Sequence, residues 1–404
     1  MTQLEVRPCR PEEMAQGLRP IFHFFGSAPS EEAVENLSTL VTPERLFAAF
    51  EDGDAVGGAG SFPFELTVPG GRVRAAGVTV VGVLPSHRRR GVLRELMRAQ
   101  LDAVHERGEP VAYLWASEST IYGRFGYGMA SLAGAVDLAR ERSVYAQPFE
   151  PYGRVRLIDR DEALELVPPV YEQVARETSG MFGRSREWWE LRALADPEWR
   201  RRGGGELQRA VLAADGEVEA YALYRLRPEF EHFASVGKTE VIEELATSPA
   251  ATAAIWRFLF DVDWMSRITA QLLPVDHPLF FLLAEPRRMR FMLTDALWVR
   301  LVDVGAALSG RSFAGDGEVV LDVADAFCPW NEGRWRVGRA GAEQTAAAAD
   351  LRLDAAALGS VYLGGFTFAE LARAARVEEL RPGVLARADA LFRTDRAPWC
   401  VEIF

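Results

Sequence analysis

One run of residues, Val78–Leu93, constrains the fold of this chain more than any other stretch. It reads V-T-V-V-G-V-L-P-S-H-R-R-R-G-V-L, so a β-branched segment ends near Pro85, three arginines follow, and Gly91 precedes a helical pattern. A strand, a turn, a glycine and a helix place backbone N–H groups around an anion such as a phosphate. Three arginines beside the positive end of a helix dipole are unfavourable unless an anion is bound there. The run therefore predicts an α/β segment with a phosphate site at the start of its helix.

A similar arginine–glycine pattern occurs at Arg200–Gly205, where it matches R-x-x-G-x-G more literally. That second run follows Asp196–Trp199, which is not a strand pattern, and it leads into a strand rather than a helix. Without a helix N-terminus the backbone donors for an anion are missing. We therefore expect a surface loop at the second run.

The composition is that of a globular protein with more than one domain. At 404 residues the chain is long for a single core. Its 46 basic and 58 acidic side chains leave a net charge of −12, which argues against nucleic-acid partners and favours cationic small molecules. The three cysteines are far apart and predict neither disulfides nor a metal site. No secretory segment or apolar run of about 20 residues is present, so we expect a cytoplasmic protein without a membrane partner.

Strand and helix patterns divide the chain into three parts with mixed α/β character. Residues 1–148 alternate strands and helices, and a polar, proline-containing stretch at Gln147–Gly153 marks the first boundary. Residues 149–294 are expected to form a second α/β unit. Residues 295–404 are richer in short strands and end on an apolar segment, Cys400–Phe404, that has a strand pattern.

A second motif follows the buried strand predicted at Val111–Ala116. It reads A-S-E-S-T-I-Y-G-R-F-G-Y-G and contains Tyr122 and Tyr127. A phenol has a pKa of about 10, so at neutral pH it can donate a proton to a leaving group. Tyr127 lies between two glycines and is expected to be structural. Packing of the whole motif against a turn is the alternative.

These motifs carry a family resemblance. Val78–Leu93 resembles the coenzyme A pyrophosphate-binding motif of GCN5-related N-acetyltransferases (GNAT), R-x-x-G-x-(G/A), with Leu93 in place of the final small residue. Together with the tyrosine motif, with D-A-L-W-V-R-L-V-D-V at Asp295–Val304 and with L-G-S-V-Y-L-G-G at Leu358–Gly365, it is similar to the Eis (enhanced intracellular survival) subfamily. The resemblance covers most of the chain.

The resemblance implies tandem GNAT-like domains followed by a sterol-carrier-protein-like domain. The first, 1–148, would bind acetyl-CoA as co-substrate, the second, 149–294, would lack a CoA site, and the third would occupy 295–404. It also implies a homo-hexamer without a metal. Tyr122 would be the general acid, and the C-terminal carboxylate of Phe404 the general base. The implied cofactor-binding residues are Val81, Gly82, Val83, Arg88, Arg89, Arg90, Gly91, Val92, Leu93, Arg94, Ser117 and Glu118.

The acceptor side is less defined by sequence. Phe24 and Phe25 belong to helices that we expect to shape an acceptor pocket, and Glu402 is the acidic residue nearest Phe404 that could attract a cation. His23, among these aromatics, is expected to be a buried core histidine, and the tryptophans, including Trp264, are expected to be core residues.

The resulting hypothesis is an acetyl-CoA-dependent N-acetyltransferase that transfers its acetyl group directly in a ternary complex. By resemblance, its acceptors would be polycationic amines such as aminoglycosides. Acetylation of lysine side chains requires the same chemistry and stays open. A non-catalytic CoA- or lipid-binding carrier is the third hypothesis, and retention of both the phosphate turn and Tyr122 argues against it.

Overall fold

The computed structural model describes residues 4–404, so the first three residues of the predicted first domain lie outside it. Contacts divide the chain into two compact units. The first unit contains the chain up to Ser131, the segment Ala296–Pro398 and the terminal pair Ile403–Phe404. The second unit contains Leu132–Asp295 and Trp399–Glu402.

The segment before Ser131 contains the predicted strand, turn and helix. Gly70, with a φ of 80°, closes the hairpin between its two longest strands. The helix after Gly91 buries one apolar stripe that includes Leu96, Met97, Leu101 and Val104, as its spacing predicts. The strands are β1 Glu5–Pro8, β2 Leu46–Glu51, β3 Asp54–Val68, β4 Gly71–Val83, β5 Val111–Trp115 and β6 Gly128–Met129, and the helices are α1 Met14–Phe24, α2 Glu31–Leu40, α3 Val92–Glu106 and α4 Ser119–Tyr122.

The middle segment forms the second unit. Its longer helices begin at side-chain caps, Asp159 and Ser248, whose oxygens accept from the N–H groups of Glu162 and Ala251. Its strands are β7 Leu132–Ala139, β8 Arg154–Leu157, β9 Gln208–Ala214, β10 Glu217–Arg227, β11 Phe230–Glu231, β12 Ala234–Ser235, β13 Gly237–Ala246, β14 Met265–Leu273 and β15 Met292–Asp295, and its helices are α5 Arg160–Glu177, α6 Arg186–Trp188, α7 Glu198–Arg201, α8 Pro249–Asp261 and α9 Leu279–Leu282.

The last segment returns to the first unit. The predicted strand at Cys400–Phe404 is wrong, because these residues adopt no regular secondary structure. The strands are β16 Leu297–Leu301, β17 Glu318–Ala324, β18 Gly333–Gly338, β19 Gly341–Gln344, β20 Leu351–Asp354 and β21 Val377–Glu379, and the helices are α10 Val304–Ser309, α11 Ala355–Tyr362, α12 Phe368–Arg373 and α13 Val384–Phe392.

Three large sheets organise these elements, and their mixed parallel and antiparallel pairing confirms the predicted fold class. The first unit contains a sheet of order β1-β2-β3-β4-β5-β16-β6 and a smaller sheet of order β19-β18-β17-β20-β21. The second unit contains a sheet of order β15-β7-β14-β13-β10-β9-β8. Within residues 4–404, no helix has the length and apolar composition that crossing a membrane requires.

The strands at the unit boundaries differ from the predicted domain limits. β7 pairs with β14 and β15, so residues 132–139 belong to the second sheet although the sequence placed everything up to 148 in the first domain. β16 lies between β5 and β6 in the first sheet. The N–H groups of Ala296 and Leu297 donate to Ser131, so the last segment of the chain is hydrogen-bonded to the end of the first segment. Sequence patterns mark strands, but they do not say which sheet a strand joins.

Candidate active site

The main feature of the first unit is a gap between the neighbouring strands β4 and β5. Their parallel pairing joins Ala75–Gly77 to Val111–Tyr113. β4 then continues to Val83 and β5 to Trp115, yet no further pair joins them in the described chain, 4–404. Backbone N–H and C=O groups along the facing edges therefore lack sheet partners. An extended ligand can occupy such a gap and pair with the backbone as an added strand does.

A β-bulge lies in β4 beside this gap. Gly58 of β3 pairs with Gly82 and Gly60 pairs with Thr79, so two residues of β4 oppose one residue of β3. One of these two, Val80, has a φ of 48°, which is rare for a β-branched residue. A bulge re-aims the backbone groups that follow it, and such strain persists where the surrounding structure enforces it, commonly at functional sites. Of the predicted residues, Val81 is the other member of the bulge, and Gly82 and Val83 follow it.

The predicted phosphate turn has the backbone of an anion site. A single 3₁₀ turn, Pro85–His87, follows β4, and Arg89 and Gly91 both have positive φ, 62° and 87°. Gly91 is the N-cap residue of α3 and offers no side-chain acceptor to the first N–H groups of the helix. Such free donors at a helix start, next to residues with alternating backbone conformation, form a concavity for an anion.

The arginines of this turn differ in their partners. Arg90 pairs with Glu51 at the end of β2, through Nη1 at 3.1 Å from Oε2 and through Nη2 to Oε1. His87 Nε2 lies 2.7 Å from the same Oε2. Arg90, with a smaller contribution from His87, lowers the pKa of Glu51. The sequence grouped Arg90 with the cofactor ligands, whereas in the structure its charge is balanced by Glu51. Arg88 instead lies over the ring of Phe24, 4.9 Å from its centroid.

Tyr122 is the last residue of α4 and 6% exposed. It belongs to a hydrophobic cluster that includes Val78 of β4 and Leu114 of β5, and its ring meets that of Tyr127 edge-on at 5.9 Å. Burial, with a contribution from Glu118, raises the pKa of Tyr122 to about 12. The phenol is therefore protonated at neutral pH. Tyr127 is fully buried, as expected of a structural residue.

Ser117 and Glu118 lie where the carboxyl end of β5 leads into α4, and both are exposed. Because β4 and β5 are parallel, their carboxyl ends lie at the same edge of the sheet. The phosphate turn follows β4 at that edge, so the structure brings the predicted cofactor residues of both motifs to one end of the gap. Ligands of open α/β sheets bind at this end of the strands.

The ring of Phe404 lies on the other face of the sheet. It meets Tyr113 at 4.9 Å and Phe64 at 5.1 Å, both edge-on, and a Cβ at Gly77 would lie 3.3 Å from it. Gly77 and Tyr113 form the last pair before the gap. Side chains alternate along a strand, so the Tyr113 face is opposite to the face of Leu114, where Tyr122 packs. Phe404 and Tyr122 thus approach the start of the gap from opposite faces.

Helix α1 borders β4 near the predicted pantetheine residues. A Cβ at Gly82 would lie 3.0 Å from the backbone of Ile21, so helix and strand touch there through their backbones. Phe24 and Phe25, at the end of α1, are 41% and 74% exposed. His23 is exposed as well, so its expected place in the core is wrong. Trp264, 69% exposed in the second unit, also lies outside the core.

Glu402 has its partners within the second unit. It belongs to the second unit, where its Oε2 lies 2.9 Å from the buried guanidinium of Arg184 and accepts from Trp188 Nε1 at 2.8 Å. Arg192 approaches the other oxygen at 3.5 Å. These partners balance the charge of Glu402, which argues against its expected role of attracting a cationic acceptor.

The sequence analysis overlooked Glu51. It follows an apolar strand and precedes the turn Asp52-Gly53-Asp54, where an acidic residue is unremarkable. Its partners lie 36 and 39 residues further along the chain, so no local pattern could reveal it. Within residues 4–404 no three acidic, histidine or cysteine side chains converge as metal ligands.

Comparisons with known proteins give the domain families and the relatives of this chain. Residues 5–130 and 180–301 match two acetyltransferase (GNAT) domain families, and residues 304–401 match a sterol carrier protein domain family. An uncharacterised N-acetyltransferase of Streptomyces coelicolor is 44% identical over 98% of both chains. The N-acetyltransferase Eis of Mycobacterium tuberculosis is 35% identical over 85% of this chain and 84% of its own. The crystal structure of Eis1 from Mycobacterium abscessus superimposes with a TM-score of 0.87 at 34% identity, over 99% of this chain and all of that one.

Proposed function

Since the chain belongs to the Eis-like GCN5-related N-acetyltransferases, we propose that it transfers the acetyl group of acetyl-CoA directly to an amine of a polycationic acceptor such as an aminoglycoside. The observation that carries this proposal is the gap between β4 and β5, with the phosphate turn at one end and Tyr122 beside it. Acetyl-CoA supplies the thioester. The residues of the gap fit its extended pantetheine arm, and the start of α3 fits its pyrophosphate.

The backbone holds the co-substrate and polarises its carbonyl. N–H groups of Val81, Gly82 and Val83, re-aimed by the bulge at Val80, donate to the pantetheine arm and to the thioester oxygen. The N–H groups at the start of α3 hold the pyrophosphate, together with Arg88, Arg89 and Arg94. We assign Arg90 to Glu51 instead of to the pyrophosphate.

Direct transfer needs one proton acceptor and one proton donor. The amine nitrogen attacks the carbonyl carbon, the C–N bond forms, and the C–S bond then breaks. Tyr122 gives its phenolic proton to the departing thiolate, and its raised pKa means that the phenol is in the protonated form before transfer. The carboxylate of Phe404, the last residue of the printed sequence, accepts the amine proton, directly or through water, and orients the ammonium form.

The acceptor class rests on charge. The chain carries 58 acidic against 46 basic side chains, and a net negative protein attracts polycations over a long range. Exposed aromatic rings at Phe24 and Phe25, near the gap through the contact of α1 with Gly82, give an amine a face for cation–π contact. A lysine side chain presents one such amine, and an aminoglycoside presents several.

An acceptor panel tests the proposal. Release of free thiol from acetyl-CoA is measured with a kanamycin-like aminoglycoside, a lysine peptide and no acceptor. We expect turnover with the aminoglycoside, a kcat/KM at least tenfold lower with the peptide, and little release without an acceptor. A preference for the peptide would overturn the proposed aminoglycoside-like acceptor class. Absence of thiol release with any amine would overturn the proposed N-acetyltransferase activity. One alanine appended after Phe404 moves the carboxylate without removing a side chain. Full activity of that variant would overturn the assignment of the Phe404 carboxylate as the general base.

We propose further that the enzyme works in the cytoplasm, without membrane or nucleic-acid partners, as a homo-hexamer. Cys9, Cys328 and Cys400 are free thiols, which fits a reducing compartment. Phe230 and Trp264 form an exposed aromatic pair in the second unit, at 55% and 69% exposure, and such a patch on a soluble protein fits an interface between copies. Light scattering of the purified protein measures its oligomeric state, and the mass of a monomer would refute the proposed hexamer.

A further inference from the structure

A buried ion pair lies beneath the turn that carries Tyr122. Arg300 of β16 has a fully buried side chain, and its Nη2 lies 2.6 and 2.8 Å from the two carboxylate oxygens of Asp325. Asp325 also accepts from the N–H of Cys328 and from Asn331 Nδ2, each at 2.9 Å. All of these residues belong to the first unit. Removing two charges from water costs several kcal/mol per ion, so a buried pair is weak evidence for a contribution to stability.

The other side of the guanidinium touches the tyrosine turn. Gly126 has a φ of 82°, and a Cβ built there would overlap the guanidinium, with Cζ of Arg300 only 2.7 Å away. The backbone of Gly126 therefore rests directly on Arg300. Any residue other than glycine would have to displace the guanidinium and would also be strained at this φ.

Gly126 closes the turn that begins at Tyr122. Its N–H donates to Gly123 at 3.0 Å, and the N–H of Tyr127 donates to the carbonyl of Tyr122 at 3.3 Å. The Tyr127 ring then packs edge-on against the Tyr122 ring. The position of Gly126 thus fixes both the backbone and the ring environment of Tyr122. A shift of Gly126 by a fraction of an ångström moves the phenol with it.

We propose that the Arg300–Asp325 pair is a positioning device for the phenol of Tyr122, which it holds in line with the departing thiolate through Gly126. The inference rests on the proposed role of Tyr122 as general acid. Asp325 and Asn331 lie in the sterol-carrier-like part of the chain and Arg300 lies just before it. Arg300, Asp325 and Asn331 therefore contribute to transfer through the support that they give the acid, without themselves contacting either substrate.

A double-mutant cycle between Asp325→Asn and Tyr122→Phe tests the proposal. Asp325→Asn keeps the shape of the side chain and removes the charge that holds Arg300. With Tyr122 present we expect kcat to fall about 10- to 100-fold, since a displacement of the order of 1 Å costs that much. With Tyr122→Phe already in place, we expect Asp325→Asn to lower kcat by less than twofold, because there is no acid left to misplace.

A second buried pair of the first unit is the control. Arg45 and Glu109 are 9% and 2% exposed and bonded to each other, and neither is placed at the active site. Glu109→Gln should leave kcat nearly unchanged in both backgrounds. If Asp325→Asn prevents folding, the pair Arg300→Met with Asp325→Leu removes both charges together, so that no single charge is left buried.

Each outcome decides the matter. If Asp325→Asn lowers kcat equally with and without Tyr122→Phe, its effect is structural and the proposal fails. Full activity of the Asp325 variants also overturns it. If Tyr122→Phe alone keeps the parent kcat, the acid assignment itself fails, and the positioning role fails with it. The activity of the single variant Tyr122→Phe shows that failure, so it can be distinguished from a failure of the positioning role of Asp325.

Discussion

Replacing Tyr122 with phenylalanine should reduce turnover strongly without weakening the fold. The ring is 6% exposed, and its contact with Tyr127 survives the change. Burial and the charge of Glu118 together raise the pKa of the phenol, and no hydrogen bond contributes to this shift. The change therefore removes no protein hydrogen bond, and stability at pH 8 should stay within about 0.5 kcal/mol of the parent. A general acid contributes about 10²- to 10⁴-fold, so we expect kcat to fall at least about 100-fold.

The pKa of about 12 adds a test at high pH. An unfolded tyrosine loses its proton near pH 10, so between pH 10 and 12 the unfolded chain binds fewer protons than the folded chain. The stability that Tyr122 contributes is therefore fully present below pH 10 and is lost as the pH rises through 12. At pH 11 the parent should have lost about 1.4 kcal/mol relative to Tyr122→Phe, since one pKa unit corresponds to 1.36 kcal/mol.

Two measurements decide this prediction. Thiol release at saturating acetyl-CoA and acceptor gives kcat between pH 7 and 10, and denaturant unfolding at pH 8 and 11 gives the stability difference. Tyr127→Phe is the matched control, because it removes the hydroxyl of a neighbouring buried tyrosine and should leave kcat unchanged. If Tyr122→Phe keeps more than about a third of the parent kcat, the acid role is refuted. If the parent loses kcat with a midpoint below pH 10 and the variant does not, the argument from burial is refuted.

Three further substitutions follow from the structure. Gly82→Ala should lower kcat/KM for acetyl-CoA at least tenfold in steady-state kinetics, because the new Cβ would lie 3.0 Å from the backbone of Ile21 and push α1 away from β4. Arg90→Ala should change KM for acetyl-CoA by less than about threefold, since Glu51 already binds this guanidinium. A tenfold rise in KM would show instead that Arg90 binds the pyrophosphate of acetyl-CoA. Arg311→Met should lower the free energy of unfolding by about 2–4 kcal/mol in denaturant titrations, because it leaves three helix-end and loop carbonyls without their buried donor.

The local elements of the site could be predicted well from sequence. The strand, the turn and the helix at Val78–Leu93 form as expected, with Gly91 in the left-handed conformation that its place at the helix start requires. The second arginine–glycine run matches its prediction only in part: Arg200 and Arg201 are the last residues of α7, and only Arg202–Gly205 forms the expected loop before β9. Both outcomes depend on residues that are close in sequence, where turn chemistry and periodicity are informative.

The misassigned residues have partners far away in the chain. Glu402 meets Arg184 and Trp188, more than 200 residues earlier, and its charge is balanced there. His23 is exposed because only one stripe of α1 faces the sheet, and its neighbours Phe24 and Phe25 are also exposed. Apolar composition around a residue does not reveal which side of a helix is covered.

The sequence by itself determined the family of this protein, and it predicted an anion site at a helix start and a functional tyrosine after a buried strand. Only the tertiary structure decided where β4 separates from β5, which residue neutralises Arg90, and that Arg300 contacts Gly126 in the turn after Tyr122. The physical reason is the range of the interactions. Helix starts and turns depend on neighbouring residues, whereas strand order, ion pairs and backbone contacts join segments that lie tens to hundreds of residues apart.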